Sequence, residues 1–227
     1  MPTTEPVGTA PAADAVTAAG APQPAPGATP PRTPLMARAA SELVGTAALV
    51  AVGPVSGAHF NPAVTLAEWW TARRDGAGVT VRETAVYVPS QIVGAIAGAV
   101  LADAMFGEPL VKWSTHDRSA ENLLLGEVVA TAGLILLIFG LARTDRLRFA
   151  PVAVASYIGA AYWFTSSTSF ANPAVTIGRA FTDTFAGIAP ASVPAFIGAQ
   201  LAGVVIGLAL VAVIFMRGKA ATGAPTA

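Results

Sequence analysis

Two copies of the peptide Asn-Pro-Ala-Val-Thr, beginning at Asn61 and at Asn172, carry the clearest chemical signal in the sequence. Asparagine is among the best N-cap residues of a helix, and proline is favoured in the first helical turn. Each copy is therefore predicted to begin a helix, whose start carries roughly half a positive charge. Two such starts that meet would form a positive collar disfavouring protons and cations, while each asparagine amide offers N–H donors to a neutral solute.

A single copy would favour a simpler interpretation, in which the asparagine only caps a short surface helix. Here, each copy follows an apolar run and precedes a short apolar piece of eight residues, Ala63–Trp70 or Ala174–Phe181. Eight helical residues extend about 12 Å, less than half the thickness of the bilayer core. We expect these pieces to enter the membrane halfway, which requires protein or a water-filled cavity around the non-helical part.

The composition indicates a helical membrane protein. Of the 227 residues, 54% are apolar and 11% are charged, with a formal net charge of zero. Soluble domains carry about 25% charged residues. The neutral balance gives no reason to expect nucleic-acid binding. Because there are no cysteines and only two histidines, we expect no metal and no cofactor. An enzyme has little support, since the sequence has no nucleophile with a base at helical spacing.

Five stretches approach the roughly 20 residues that a bilayer crossing requires. They are Leu35–Val55, Val86–Met105, Leu123–Ala142, Phe149–Phe164 and Val193–Met216. The first is marginal because Glu42 interrupts it. Residues 1–34, rich in alanine, proline and threonine, are predicted to be a disordered tail, and residues 220–227 a second tail.

The chain between the tails reads as a duplication. Glu42 and Glu127 both occur in a Glu-x-x-x-Thr pattern, and Gln91 with its two following glycines is repeated with identical spacing from Gln200. This pattern predicts an inverted repeat with the site at the repeat interface. The first repeat covers 35–107, the second covers 121–217, and the whole domain covers 35–219. Gly94/Gly98 and Gly203/Gly207 are expected to pack helices closely inside the monomer.

The two glutamates are interpreted as structural. An ionisable group inside a span is costly unless it is paired, so buried carboxylates that accept backbone N–H bonds from the re-entrant loops are favoured over a proton relay. His59 is expected to line the entrance or to bond loop backbone rather than to bind a metal.

The peptides "SGAHFNPAVTLAEW" and "SFANPAVTIGRAF", with the paired Glu and the Gln/Gly helices, resemble the aquaporin and glycerol-facilitator family over residues 38 to 217. The resemblance implies an all-α membrane fold, with an inverted repeat of spanning helices and two re-entrant half-helices. It also implies a pore in each monomer, usually a homo-tetramer, and passive passage of water or small neutral solutes. The pore motifs would be Asn61, Pro62, Ala63 and Asn172, Pro173, Ala174.

The chain departs from the family in the length of its first half. Glu42 is 19 residues from Asn61, whereas Glu127 is 45 residues from Asn172. The deficit of 26 residues is enough for one helix and a loop, so about five full spans are expected instead of six. The family orientation would place eight basic residues inside and three outside, namely Lys112, Arg118 and Arg179, in agreement with the positive-inside rule. The upstream span would then cross from outside or form a re-entrant hairpin.

A second departure concerns the filter. Most family members have arginine directly after the second Asn-Pro-Ala, where this chain has Val175. The resemblance assigns Ala160 and Ser169 as the other filter residues. These side chains would make a wide, weakly polar gate, as in members that pass glycerol-like polyols or undissociated metalloid acids. A bacterial plasma-membrane channel is the leading hypothesis. The alternatives are a non-conducting channel remnant, an assembly subunit that lacks one transmembrane helix, and a transporter coupled through the glutamates.

Overall fold

The computed structural model describes residues 57–76 and 78–215. The regular structure in these two ranges is entirely helical, which confirms the all-α class. The expectations for the tails 1–34 and 220–227, the span Leu35–Val55 and Glu42 fall outside the described residues. So does the choice between a straight crossing and a hairpin for the upstream span.

The helices in the described ranges are numbered in chain order. They are α1 (Pro62–Asp75), α2 (Val81–Phe106), α3 (Glu121–Arg143), α4 (Ala150–Phe164), α5 (Pro173–Gly178) and α6 (Val193–Ile214). Three short 3₁₀ turns, Leu147–Phe149, Arg179–Phe181 and Pro190–Ser192, adjoin α4, α5 and α6.

Within residues 57–76 and 78–215, three helical segments are long and apolar enough to cross a membrane, namely α2, α3 and the 25 residues Pro190–Ile214 that contain α6. They correspond to three of the predicted spans. The predicted span Phe149–Phe164 folds as α4, which has 15 residues and is therefore about 22 Å long. It is shorter than the hydrocarbon core of a bilayer.

Two helix boundaries differ from the sequence prediction because local capping decides them. The first motif helix was predicted to end at Trp70, but α1 continues to Asp75, where Gly76 adopts φ 74° and donates its N–H to the Ala72 carbonyl at 2.8 Å. The span predicted to begin at Val86 begins at Val81, because Thr80 and Glu83 form a reciprocal capping box. The second motif helix is short as expected, with six residues in α5.

Among the described helices, α3 and α6 form the most extensive pair. A Cβ added at Gly203 would lie 2.7 Å from the Val128 carbonyl oxygen, and one at Gly207 would lie 2.7 Å from the Ile135 Cβ. The two glycines therefore allow the close approach that was predicted for them. Gly94 and Gly98 on α2 differ, since no described residue comes within 4 Å of an added Cβ there.

The buried core brings the two motifs together. Side chains from α1, α3 and α6 pack into one cluster with Ala171, the residue before the second motif. Helix α5 lies against α2, where a Cβ on Gly178 would be 2.7 Å from the Ala95 carbonyl oxygen. Both motif helices are thus fixed by the long helices rather than by their own length.

Candidate functional site

The two Asn-Pro-Ala motifs meet through reciprocal hydrogen bonds. Asn61 Nδ2 donates to the Ala171 carbonyl at 2.7 Å, and Asn172 Nδ2 donates to the Phe60 carbonyl at 2.9 Å. Phe60 immediately precedes Asn61, and Ala171 immediately precedes Asn172. Each asparagine therefore bonds the loop that leads into the other motif, and the starts of α1 and α5 lie close together.

Each asparagine also caps its own helix. Asn61 Oδ1 accepts the Ala63 N–H at 2.8 Å, and Asn172 Oδ1 accepts the N–H groups of Ala174 at 3.0 Å and Val175 at 3.3 Å. An amide nitrogen carries two hydrogens, and the bond to the opposite loop uses one of them. The amide oxygen of each asparagine thus caps its own helix. The amide nitrogen bonds the loop of the other motif and retains a second N–H donor.

The loops before the motifs share an unusual backbone. Ala58 and Phe60 have φ of 53° and 44°, and Ser169 and Ala171 have φ of 48° and 46°. Positive φ is rare for residues other than glycine, and it persists only where the surroundings hold it. Each pair occupies the same positions relative to its asparagine, so the duplication extends to the backbone of the site.

The second loop is held by Glu127, which is fully buried. Its Oε1 accepts the Phe170 N–H and its Oε2 accepts the Ala171 N–H, both at 2.8 Å. Gln200 Nε2 donates to Glu127 Oε2 at 2.6 Å and to Thr176 Oγ1 at 2.8 Å. The carboxylate thus fixes the carbonyl of Ala171 in the position where Asn61 reaches it.

The first loop is held by His59. Its Nε2 lies 2.6 Å from Glu68 Oε2, its Nδ1 lies 3.1 Å from Thr65 Oγ1, and its side chain is 6% exposed. Gln91 Nε2 donates to Thr65 Oγ1 at 3.0 Å. Sequence reasoning missed Glu68. The available signal was its position three residues after Thr65, which puts both side chains on the same face of α1.

The three filter candidates occupy different environments. Val175 lies in the first turn of α5 and is half-buried, Ser169 in the preceding loop is 5% exposed, and Ala160 lies at an exposed position of α4. Ser169 Oγ has no hydrogen-bond partner among the described residues. Of the three candidates, only Ser169 therefore contributes a polar side chain, and its hydroxyl is buried.

Two arginines near this site were not singled out by the sequence reasoning. The Arg118 guanidinium carbon is 4.8 Å from the centroid of the Phe170 ring, and that of Arg179 is 4.2 Å from it. Arg118 lies in the loop between α2 and α3, and burial lowers the pKa of its guanidinium. The sequence placed both residues among the outer basic charges but gave no signal that they share one aromatic ring.

The loop between α2 and α3 is tied to the chain after α5. The backbone N–H groups of Lys112 and Ser114 donate to the Phe181 and Ala180 carbonyls at 2.9 and 3.0 Å. Asp183 accepts from the Thr115 N–H at 2.9 Å and lies 2.9 Å from Lys112 Nζ. These contacts, with the Thr115 N–H foremost, lower the pKa of Asp183 from its ordinary 3.8 to about 2.

Comparisons with known proteins point to one family. Residues 31–171 match the family model described as Major intrinsic protein. The aquaglyceroporin AqpS of Rhizobium meliloti (strain 1021) is 48% identical over 159 residues, which cover 70% of this chain and 66% of AqpS. The probable aquaporin AqpM of Archaeoglobus fulgidus is 30% identical over 63% of this chain and 60% of AqpM. Human aquaporin-2 is 37% identical over 43% of this chain and 35% of aquaporin-2.

The matched region spans less than two thirds of the length of each of these curated relatives. The family model nevertheless covers more than half of this chain, and the described part contains three helices able to cross a bilayer. This chain therefore belongs to the major intrinsic protein family, as an integral membrane protein.

Proposed function

We propose that this chain is a passive channel for water or small uncharged solutes in a bacterial plasma membrane. The observation that carries the proposal is the reciprocal bonding of Asn61 and Asn172, each to the loop of the other motif. It supports two helix starts that face a shared passage. A passage framed by two positive helix ends disfavours cations and protons, while a neutral solute can accept the remaining amide hydrogens.

The solutes we propose are glycerol-like polyols or undissociated metalloid acids, as well as water. Valine at position 175 gives neither the bulk nor the charge of the arginine that most family members have there. With Ala160 and Ser169 as the other filter residues, the constriction would be wide and weakly polar. The similarity to a relative named as an aquaglyceroporin supports this choice.

The proposed working unit is a domain of residues 35–219, assembled as a homo-tetramer in the lipid bilayer. Its site residues are the two Asn-Pro-Ala motifs, with His59 at the entrance and Glu42 and Glu127 as buried structural carboxylates. For Glu127, the bonds to the Phe170 and Ala171 N–H groups support the structural role.

A second candidate function is a non-conducting remnant or an assembly subunit. The observation that favours it is the short interval between Glu42 and Asn61, 19 residues against 45 in the second half. A pore wall that lacks one helix would lose its seal against lipid, unless another chain supplied it.

Swelling of reconstituted vesicles decides between the two functions. We expect vesicles that contain the full chain to swell in glycerol at least several times faster than empty vesicles, and Asn172→Ala to remove most of the difference. Asn122→Ala is the matched control, because Asn122 is an exposed asparagine on α3 and should leave the rate unchanged. Swelling of the wild-type chain at the rate of empty vesicles would support the non-conducting alternative.

A further inference from the structure

Arg118 and Arg179 form a cationic cluster around one buried aromatic ring. Both guanidinium groups lie over Phe170, at 4.8 and 4.2 Å from its centroid, and Phe170 is 4% exposed. A guanidinium within about 6 Å of a ring centroid is attracted to the aromatic face. These three residues are called the Phe170 cluster below.

The Phe170 cluster lies beside the second motif. Phe170 is two residues before Asn172, and its backbone N–H is held by Glu127. Arg179 follows Val175 by four residues, which is close to one helical turn, and α5 leads directly into the 3₁₀ turn that contains it. Arg179 thus lies about one helical turn from the position where the chain has valine, and its guanidinium lies over a ring two residues before the motif.

The two arginines differ in their hydrogen bonding. Arg118 uses three donors, from Nε to the Gly187 carbonyl at 2.7 Å and from its two Nη atoms to the Ser167 and Phe185 carbonyls at 3.0 Å. Arg179 Nη1 is buried and has no hydrogen-bond partner among the described residues. A guanidinium has no acceptor and several donors, so Arg179 still requires an oxygen.

The carboxylates near the cluster do not neutralise it. Glu127 interacts electrostatically with both arginines, but one carboxyl group can offset at most one of the two positive charges. Asp183 pairs with Lys112. Asp117 is exposed and bonded to Ser119 and Ser192, so solvent screens it. One positive charge therefore remains in excess beside the second motif.

We propose that Arg179, held in place by the Phe170 cluster, is a specificity-determining residue of the passage. It supplies the positive charge that residue 175 lacks, and this charge repels cations. The statement about cations in a passage rests on the proposed channel function, whereas the location of the charge does not.

The charge can be measured without measuring conduction. Because the chain has no cysteine, Val175→Cys in the full chain introduces a single thiol. In reconstituted vesicles this thiol is reacted with two thiol-specific methanethiosulfonates of similar size, one anionic and one cationic. The ratio of the two rates reports the electrostatic potential at the thiol. A change in the ionised fraction of the thiol affects both rates equally and therefore cancels in the ratio. We expect Arg179→Gln to lower the anionic-to-cationic ratio about tenfold.

Three further measurements show whether a change in the ratio comes from the charge of Arg179. Arg148→Gln is the matched control, since the Arg148 guanidinium carbon also lies 4.8 Å from a phenylalanine ring centroid, that of Phe149, in an exposed 3₁₀ turn. It should change the ratio by less than about twofold. Arg179→Lys should preserve the ratio. Salt at 1 M, where the Debye length is about 3 Å, should move the ratio toward that of free cysteine without any substitution.

An unreactive thiol at position 175, or a ratio that Arg179→Gln and salt leave unchanged, would overturn the inference. The vesicle swelling experiment is independent of it. If the rate ratio responds as expected but wild-type vesicles do not swell, the channel function fails and the location of the charge stands. If the vesicles swell but the ratio is unchanged, only the inference fails.

Discussion

The two motif loops have the same backbone but different side-chain support. Both place residues with positive φ at corresponding positions before an asparagine that caps a helix. The second loop is anchored by Glu127 on α3 and Gln200 on α6, both fully buried. Within the described residues, the first loop is anchored by His59, by Thr65 and Glu68 of the motif helix itself, and by Gln91 on α2.

This difference shows that the junction depends on the positions of two carbonyls rather than on one set of supporting residues. Asn61 and Asn172 reach the carbonyls of Ala171 and Phe60 with nearly the same geometry. A buried carboxylate that binds two adjacent N–H groups achieves this in one half. A histidine paired with a partly exposed glutamate achieves it in the other. The buried anchor should be the more costly of the two to remove.

The largest effect is expected from Glu127→Ala. The substitution leaves the N–H groups of Phe170 and Ala171 without their acceptor in a fully buried place, and it removes one of the two bonds that the Gln200 amide donates. Each buried donor without a partner costs about 1–3 kcal/mol, so the free energy of unfolding should fall by about 3 kcal/mol or more. Thermal unfolding of the detergent-solubilised chain measures this loss.

His59→Ala provides the comparison for the first loop. It removes the contact with Glu68, whose side chain is 36% exposed, and Thr65 keeps its bonds to Gln91 and to the Asn61 carbonyl. A loss of about 1 kcal/mol is expected. Glu121→Ala, at an exposed position of the same helix as Glu127, should change stability by less than about 0.5 kcal/mol. Equal losses for Glu127→Ala and His59→Ala would contradict the difference between the loops.

Substitution of the repeated glycines should also destabilise the protein more in the second half than in the first. Gly203→Ala and Gly207→Ala each place a Cβ within 2.8 Å of α3 atoms, and overpacking of this kind costs about 1–3 kcal/mol. Gly94→Ala and Gly98→Ala meet no described residue within 4 Å. They should be neutral or stabilise α2 by up to about 1 kcal/mol, because alanine favours helix more than glycine does. The four unfolding temperatures, measured side by side, test this ordering.

A destabilising Gly94→Ala or Gly98→Ala would mean that α2 has a packing partner outside the described residues. That result would make the two repeats more alike than their described contacts indicate. A neutral Gly203→Ala would contradict the close approach of α3 and α6.

Much of this fold followed from local chemistry that a sequence displays. Asparagine before proline marks a helix start whatever surrounds it, so the starts of α1 and α5 were predictable. The long apolar runs predicted α2, α3 and α6 because a bilayer sets their length. The extension of α1 to Asp75 was not predicted, because the charged residues after Trp70 were interpreted as a turn. The arginines in the last turn of α1 in fact favour a helix C-terminus, which carries partial negative charge.

The contacts that depend on tertiary structure could not be predicted in the same way. The His59–Glu68 pair requires α1 to continue as a helix past its apolar part. The Phe170 cluster joins residues from three separate segments, and no spacing rule connects Arg118 with Arg179. Periodicity reports which face of a helix is apolar, but it does not report which loops meet above that helix.

The smallest effect is expected where the second half has an additional tie, at Asp183. Because its pKa is lowered from 3.8 to about 2, its contribution to stability is present above the ordinary pKa and is lost as the pH falls through about 2. Hydrogen bonding to Asp183 raises the pKa of Lys112, so the contribution of Lys112 is present below its ordinary value of 10.5 and is lost as the pH rises above that value.

The difference in unfolding temperature between wild type and Asp183→Asn should therefore be constant from about pH 5 to 9 and shrink between about pH 4 and 2. A difference that persists at pH 2 would mean that Asp183 acts through its shape and neutral hydrogen bonds. The charge-dependent tie between the α2–α3 loop and the second motif would then be absent.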